Sequence, residues 1–159
     1  MGIIISSFIG CGREFLKNVY GDKIKIFDAV DEIPLTDIDG KINSDLLDGY
    51  VNETLNATNN SDIVFIDFSN TVRNAFNERN IDYDLFYPSK ERKNEFIENQ
   101  VIKRTKPKDI QTLDRNFEKW VDEIDDDKTD NCYKHKLANK GEFIGNTPLI
   151  MEYIDSLKQ

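Results

Sequence analysis

The chain has few residues of the kinds that build disulfide, zinc or redox sites. It contains two cysteines, Cys11 and Cys132, and one histidine among its 159 residues. The cysteines form no spaced pair and have no histidine partner, so the sequence predicts reduced thiols and no zinc site. The sequence also lacks long apolar runs, and the short one at the N-terminus predicts neither export nor membrane insertion. A cytoplasmic protein is therefore expected.

Basic residues are scarce relative to acidic ones. Thirty Asp and Glu residues against 21 Lys and Arg residues give a formal net charge of −9 at pH 7. This charge opposes association with duplex nucleic acid or with an anionic membrane. It favours a small molecule or a protein as the partner. The length suits one domain that spans residues 1–159 and buries a proper core.

What the sequence does contain is an alternation of apolar runs with stretches of helical period. Four runs rich in β-forming residues lie at residues 2–7, 23–27, 62–66 and 83–87. Helical spacing of apolar residues marks residues 14–20, 43–58 and 70–80. We therefore expect a three-layer α/β fold, with a parallel sheet of about four to five strands and helices on both faces.

The second half of the chain carries many charges at helical spacing. Residues 90–104 and about 109–124 predict two helices, joined by a strongly basic cluster at residues 103–108. Two explanations compete for this cluster: a solvated turn, or the tip of a helical lid over about residues 89–124 that closes over phosphates. The acidic run at residues 122–130 predicts a solvated loop. A last amphipathic helix, after Pro148, either packs on the sheet or forms a homodimer surface.

The segment after the first apolar run has the glycine spacing of a phosphate-binding loop. In the pattern G-x-x-x-x-G-K-[ST], the lysine reaches the terminal phosphates and the hydroxyl holds Mg²⁺. Aligned on Gly12, this chain has Ser7 at the first glycine, Arg13 at the lysine and Glu14 at the hydroxyl residue. The expected phosphate-binding residues of the loop are Ser7, Ile9, Gly10, Cys11, Gly12, Arg13 and Glu14. The alternative is a tight strand-to-helix turn that contains two glycines and binds nothing.

Other short fragments follow this loop in order. They are residues 25–29 (KIFDA), 62–66 (DIVFI) followed by Val72 and Arg73, 83–88 (YDLFYP), 92–97 (RKNEFI) and 115–121 (RNFEKWV). Together with the altered loop, their order resembles that of small P-loop nucleotide kinase-like proteins common in bacteriophages, within the adenylate and thymidylate kinase superfamily. The similarity covers most of the chain, through residues 141–143. It implies a nucleoside-phosphate site at the carboxyl ends of the strands and, for a phage protein, a location in the host cytoplasm.

The resemblance also implies roles for residues outside the loop. Asp28 corresponds to an acid near the acceptor hydroxyl, and its alternative role is a cap at the end of the strand. Arg104 matches the lid arginine, so Asp28 and Arg104 are the expected catalytic residues. The resemblance adds to the phosphate-binding set Asp67, Ser69, Arg73 and Arg92. For the two arginines in that set, surface salt bridges are the alternative.

Three functions are compatible with these residues. The altered loop favours binding of a nucleotide or a nucleotide-derived signal without turnover, such as sequestration of a host defence signal. The first alternative is an active nucleotide or nucleoside kinase that transfers the γ-phosphoryl group of ATP. The second is a protein-interaction module that kept the fold and lost the site. ATP is the expected cofactor. Because the loop hydroxyl is replaced by Glu14, Mg²⁺ is not expected to bind there, and no metal ligand is predicted.

Overall fold

The fold is built around one β-sheet. The computed structural model describes residues 1–158. The strands are β1 (Ile3–Ser7), β2 (Ile26–Asp28), β3 (Ile63–Ile66), β4 (Tyr83–Pro88) and β5 (Cys132–Leu137). They lie in the order β2-β3-β1-β4-β5, and every neighbouring pair is parallel. The predicted α/β class, the parallel sheet and the number of strands are thus confirmed.

Seven α-helices accompany the sheet within residues 1–158. They are α1 (Arg13–Tyr20), α2 (Ala29–Glu32), α3 (Ser44–Thr58), α4 (Asn70–Glu78), α5 (Lys93–Ile102), α6 (Pro107–Asp126) and α7 (Pro148–Leu157). Short 3₁₀ turns lie at Lys90–Arg92 and Ile144–Asn146. Over the same residues, no helix combines the length and the apolar character that crossing a bilayer requires.

The two most apolar runs form the centre of the sheet. Ile4 of β1 pairs with Val64 of β3, and Ile5 pairs with Phe65. All four of these side chains are buried. A central strand of a parallel sheet is covered on both faces, so a continuous apolar run is the sequence that such a strand requires.

The direction of the chain connections changes at β1. The connection from β1 leads to β2 at one edge, whereas the connections from β2, β3 and β4 all lead toward the opposite edge. Right-handed crossovers then place α1 on one face of the sheet and α3 to α6 on the other. In agreement, α3 packs against α4, while α1 and α7 both contact the Ile144–Asn146 turn. A sheet with such a reversal has a crevice at the carboxyl end of the strand concerned.

An aromatic cluster fixes the α5–α6 hairpin next to the end of β1. Phe8, the first residue after β1, is fully buried. Its ring centroid lies 4.8 Å from that of Phe68, 5.4 Å from that of Phe117 on α6 and 6.4 Å from that of Phe96 on α5. The hydrophobic core therefore anchors the base of the α5–α6 hairpin. The sequence alone did not decide whether the tip of this hairpin is a lid or a solvated turn.

Two local predictions were wrong, and one strand was not located from the sequence. The second strand is Ile26–Asp28 and does not begin at residue 23, because the N–H groups of Lys23 and Ile24 both donate to the carbonyl of Tyr20 and close the turn after α1. The acidic run was expected to be a loop from residue 122, but α6 continues through Asp126. The strand β5 was not located from the sequence, because the three residues at its centre, Lys134, His135 and Lys136, are polar.

Candidate anion-binding site

The loop between β1 and α1 requires glycine at two positions. Gly10 and Gly12 have φ values of +84° and +103°, in the left-handed region that favours glycine. A Cβ atom on Gly10 would lie 3.1 Å from the Phe96 ring, and one on Gly12 would lie 3.2 Å from Cβ of Phe143. Backbone angle and neighbouring side chains therefore restrict both positions to glycine.

Six backbone amides of this loop and of the first turn of α1 have no hydrogen-bond acceptor among residues 1–158. They belong to Ile9, Gly10, Gly12, Arg13, Glu14 and Phe15, and the four from Gly10 and Gly12 to Glu14 flank the glycine turn. The amide of Cys11 differs, because it donates to the carbonyl oxygen of Phe8 at 3.2 Å. Free N–H groups at the start of a helix, where the helix dipole is positive, are suited to bind an anion.

The side chain of Cys11 points away from these amides. It is fully buried, and its Sγ atom lies 3.7 Å from the carbonyl oxygen of Phe86 on β4. Burial raises the pKa of this thiol, so the sulfur stays protonated and unreactive in the closed loop. Cys11 is therefore part of the support under the loop.

Two clefts adjoin the glycine loop, each with a volume of about 390 Å³. The strand-end cleft is lined by Ser7, Phe8, Ile9, Gly10, Arg13, Glu14, Val30, Asp67, Phe68, Gln100, Lys103 and Thr105. The aromatic cleft is lined by Gly10, Gly12, Phe15, Asn99, Lys103, Phe143, Gly145 and Asn146. Only Gly10 and Lys103 line both. Small-molecule sites have volumes of about 300–1,000 Å³, so each cleft has the size of a small-molecule site.

Five charged side chains form a network beside the strand-end cleft. This α1 charge cluster consists of Arg13, Glu14, Lys17, Asp28 and Asp31. The Nε atom of Arg13 lies 3.0 Å from Oδ2 of Asp28, and its Nη2 atom lies 3.7 Å from Oδ1 of Asp31. Unit charges about 4 Å apart attract by roughly 4 kcal/mol at an effective dielectric constant of about 20. The charge of Arg13 is therefore compensated within the protein.

Asp28 has the contacts of a strand-end cap. Its side chain is 3% exposed, and its Oδ1 atom accepts a hydrogen bond of 3.1 Å from the amide of Val30, at the start of α2. Its Oδ2 atom faces Arg13 and Lys17, at 3.0 Å and 2.9 Å. Asp28 lines neither cleft. These contacts match the alternative role, a cap at the end of the strand.

The charge cluster shifts the pKa values of two of its members. Partial burial lowers the pKa of Lys17, but the hydrogen bonds to Asp28 and Asp31 outweigh this effect and the pKa is raised. Partial burial raises the pKa of Asp31, but the Lys17 ammonium and the Arg13 guanidinium outweigh it and the pKa is lowered. Lys17 and Asp31 are therefore both charged at neutral pH.

Asp67 and Ser69 lie on different sides of Phe68. Asp67 lines the strand-end cleft, where its Oδ1 atom accepts from the amide of Phe68 at 2.9 Å. Its own amide donates to the hydroxyl of Tyr50 at 3.1 Å. Ser69 instead caps α4, since its Oγ atom accepts from the amide of Val72 at 3.4 Å. The structure therefore places only Asp67 beside the glycine loop.

Arg73 and Arg92 are buried in structural positions. Arg73 donates to the carbonyl of Phe68 at 2.8 Å and to Asp127 at 2.7 Å, and it lines a separate cavity of about 120 Å³. Arg92 is paired with Glu95 at 2.7 Å. Neither arginine lines one of the two clefts. They have the protein partners that the salt-bridge alternative implied, although these ion pairs are buried and not at the surface.

Arg92 nevertheless shapes the aromatic cleft indirectly. Its Nη1 atom donates to the carbonyl oxygens of Leu137 and Glu142, at 3.0 Å and 2.7 Å. Its guanidinium lies 5.0 Å and 5.2 Å from the ring centroids of Phe96 and Phe143. The hydrogen bond from Arg92 also keeps the pKa of Glu95 below its usual value. Arg92 thus holds the segment that carries Phe143 against α5.

At the tip of the hairpin, Lys103 lies at the clefts and Arg104 does not. Arg104 has a φ of +59° and is exposed. The chain turns there, and Thr105 returns to donate from its hydroxyl to Oε1 of Gln100 at 2.8 Å. Lys103, Thr105 and Gln100 line the strand-end cleft. The sequence contained Lys103 within its basic cluster, but the resemblance singled out Arg104.

Phe15, Gln100 and Phe143 were also missed as lining residues of the clefts. Phe15 follows the loop directly, and its exposure of 60% is high for a phenylalanine. Phe143 lies in the last segment covered by the resemblance, and this position was the one sequence feature that could have indicated its place in the site. No feature of the sequence indicated that Gln100 lines a cleft, because a polar residue on a charged helix is expected to face solvent.

Neither the comparison with models of protein families nor the comparison with curated proteins found a match for this chain.

Proposed function

We propose that this protein binds a nucleotide or a nucleotide-derived signal without transferring its phosphate. The observation that supports this proposal is the set of free amides at Gly10, Gly12, Arg13 and Glu14, which have no acceptor among residues 1–158 and adjoin two clefts. A phosphate oxygen accepts several N–H bonds at once and is stabilised by the helix dipole. The phosphate would therefore bind at the amides of the loop.

The aromatic cleft is the proposed place for the base. Phe15 and Phe143 line it, and aromatic rings interact favourably when they stack with an offset or meet edge to face. The amide group of Asn99, also in this cleft, offers both a donor and an acceptor to a base edge. Lys103 could reach a phosphate from either cleft, since it lines both.

The glycine loop lacks the lysine and the hydroxyl on which phosphoryl transfer depends. Transfer depends on neutralising charge at the phosphates, by a loop lysine and by Mg²⁺ held on a hydroxyl. Here Arg13 is paired with Asp28, and Glu14 stands at the hydroxyl position. The carboxylates of Glu14, Asp28 and Asp31 do not fit a Mg²⁺ ion, because they already contact Lys17 and Arg13. Binding without turnover would suit a protein that sequesters a signal.

Calorimetric titration in EDTA tests the proposal with AMP, ADP, ATP and cyclic dinucleotides. We expect at least one of them to bind with a Kd of about 1 mM or lower. Gly12→Ala should weaken that binding at least about tenfold, which corresponds to about 1.4 kcal/mol. Gly40→Ala is the matched control, because Gly40 also has a positive φ (+77°) but nothing lies within 4 Å of its Cβ position.

Two outcomes would replace this proposal. Formation of ADP from ATP, Mg²⁺ and a nucleotide or nucleoside acceptor would show an active kinase. Absence of binding by all these nucleotides would leave the protein-interaction module as the better account. Equal loss of binding in Gly12→Ala and Gly40→Ala would remove the glycine loop from the site.

A further inference from the structure

The side chain of Lys17, on the second turn of α1, contacts three carboxylates. Its Nζ atom lies 2.9 Å from Oδ2 of Asp28, 3.1 Å from Oδ2 of Asp31 and 3.4 Å from Oε1 of Glu14. One oxygen from each carboxylate lies within 4.8 Å of the other two. Oxygen ligands about 2.0–2.6 Å from a divalent ion are at most about 5 Å apart, so this spacing is also that of a cation site.

We infer that the ammonium group of Lys17 is the resident cation of this carboxylate triad, and that it keeps divalent metal ions out of the site. A protein that binds a nucleotide beside it would then take the nucleotide as a metal-free anion. That consequence rests on the proposed function, whereas the exclusion of metal does not.

The triad is anchored by one buried carboxylate, and its other two members, Glu14 and Asp31, are 56% and 48% exposed. Asp28, its central member, is buried and held by the amide of Val30. Arg13 approaches the same Oδ2 atom that Lys17 contacts. Loss of Lys17 would leave one cation, Arg13, among three carboxylates, and a divalent ion would relieve their repulsion.

Manganese alone is the probe, and Lys17→Met is the test variant. Met keeps the length of the side chain and removes the charge. Lys93→Met is the matched control: Lys93 is 28% exposed against 27% for Lys17, and it contacts only two carboxylates, Asp114 and Glu118. Titration of free Mn²⁺ by electron paramagnetic resonance should show one ion bound to Lys17→Met with a Kd below about 1 mM. The wild type and Lys93→Met should show no saturable binding in that range.

The inference would be overturned if the wild-type protein bound one Mn²⁺ as tightly as Lys17→Met. The titration of the wild type does not depend on whether a variant folds. A folded Lys17→Met that binds no Mn²⁺ would overturn the inference as well. Lys17→Gln is a second neutral variant with the same expected gain of binding. Lys17→Arg, which keeps the charge, should exclude Mn²⁺ as the wild type does.

Nucleotide titrations with and without Mg²⁺ distinguish this inference from the proposed function. For the AMP, ADP or ATP that binds best, Mg²⁺ should not tighten binding to the wild type relative to EDTA. In Lys17→Met, Mg²⁺ should tighten binding by about fivefold or more. Tightening by Mg²⁺ in the wild type would contradict the inference. If the wild type binds no nucleotide, the proposed function fails, while the Mn²⁺ result still decides the role of Lys17.

Discussion

The glycine loop and the α1 charge cluster share two residues but differ in what they leave unpaired. In the loop, backbone donors at Gly10, Gly12, Arg13 and Glu14 have no acceptor among residues 1–158. In the cluster, the side chains of Arg13 and Glu14 contact charges of the opposite sign. The same residues therefore offer free backbone groups and occupied side chains. The capacity to hold an anion resides in the backbone, and the side chains join α1 to the start of α2.

Phe8→Ala should lower the free energy of unfolding more than any other substitution considered, because this ring fixes the loop to the α5–α6 hairpin. Truncation of a fully buried phenylalanine costs about 3–5 kcal/mol of unfolding free energy. Urea unfolding at pH 7 measures it. Phe15→Ala is the control, since this side chain is largely exposed and its loss should cost within about 0.5 kcal/mol. A loss below about 1 kcal/mol in Phe8→Ala would mean that the loop is not held by the core.

Asp28→Asn should cost less stability than Phe8→Ala and should release the side chain of Arg13 beside the free amides. The amide retains the cap on Val30, but Arg13 and Lys17 lose a buried charged partner, so we expect a loss of about 1–3 kcal/mol. Affinity for inorganic phosphate should rise, because the cation of Arg13 becomes available next to the free amides.

The control for Asp28→Asn is Asp31→Asn. Its carboxylate is 48% exposed, so solvent screens the pair and the loss should stay below about 1 kcal/mol. Phosphate titration by calorimetry and urea unfolding supply the two readouts. Unchanged phosphate affinity in Asp28→Asn would show that pairing does not limit Arg13.

The smallest effect should be the dependence of stability on pH. Burial raises the pKa of Asp127, but the hydrogen bonds from Thr129 and the charge of Arg73 lower it by a larger amount. The pKa in the folded protein therefore lies below the ordinary value. Unfolded aspartate has a pKa of about 3.9 and takes up a proton first as pH falls. The stabilisation is therefore complete above about pH 5 and is lost as pH falls through the folded pKa.

Urea midpoints measured between pH 6 and pH 3 test this dependence. Asp127→Asn should flatten the curve, and Asp130→Asn, whose carboxylate has no ion pair among residues 1–158, should not. A wild-type midpoint that rises as the solution is acidified would contradict the assignment.

The sequence predicted the parts of the fold that depend on local composition. The apolar runs of β1 and β3 require burial on both faces, and this requirement alone places them at the centre of a parallel sheet. The glycine loop was located because its spacing is local as well. By contrast, β5 was missed, since Lys134 within it donates to the carbonyls of Ile124, Asp125 and Asp127 at the end of α6, a contact that exists only after folding.

The candidate site was harder to predict for the same reason. Arg13 could be aligned with a phosphate-binding lysine, but its partners Asp28 and Asp31 lie more than a dozen residues away and meet it only when α1 packs beside the end of β2. Lys103 lines both clefts, whereas Arg104, which has a positive φ, lines neither. Spacing in a sequence does not determine such an angle.

The burial of Cys11 beneath the glycine loop makes the dynamics of that loop measurable. In a Cys132→Ser variant, the only remaining thiol lies under the loop, and it reacts with a soluble disulfide reagent only when the loop opens. The labelling rate then gives the frequency of opening under native conditions. A compound that docks on the loop amides would slow the labelling in proportion to its occupancy, so a spectrophotometer could screen ligands without knowledge of their identity.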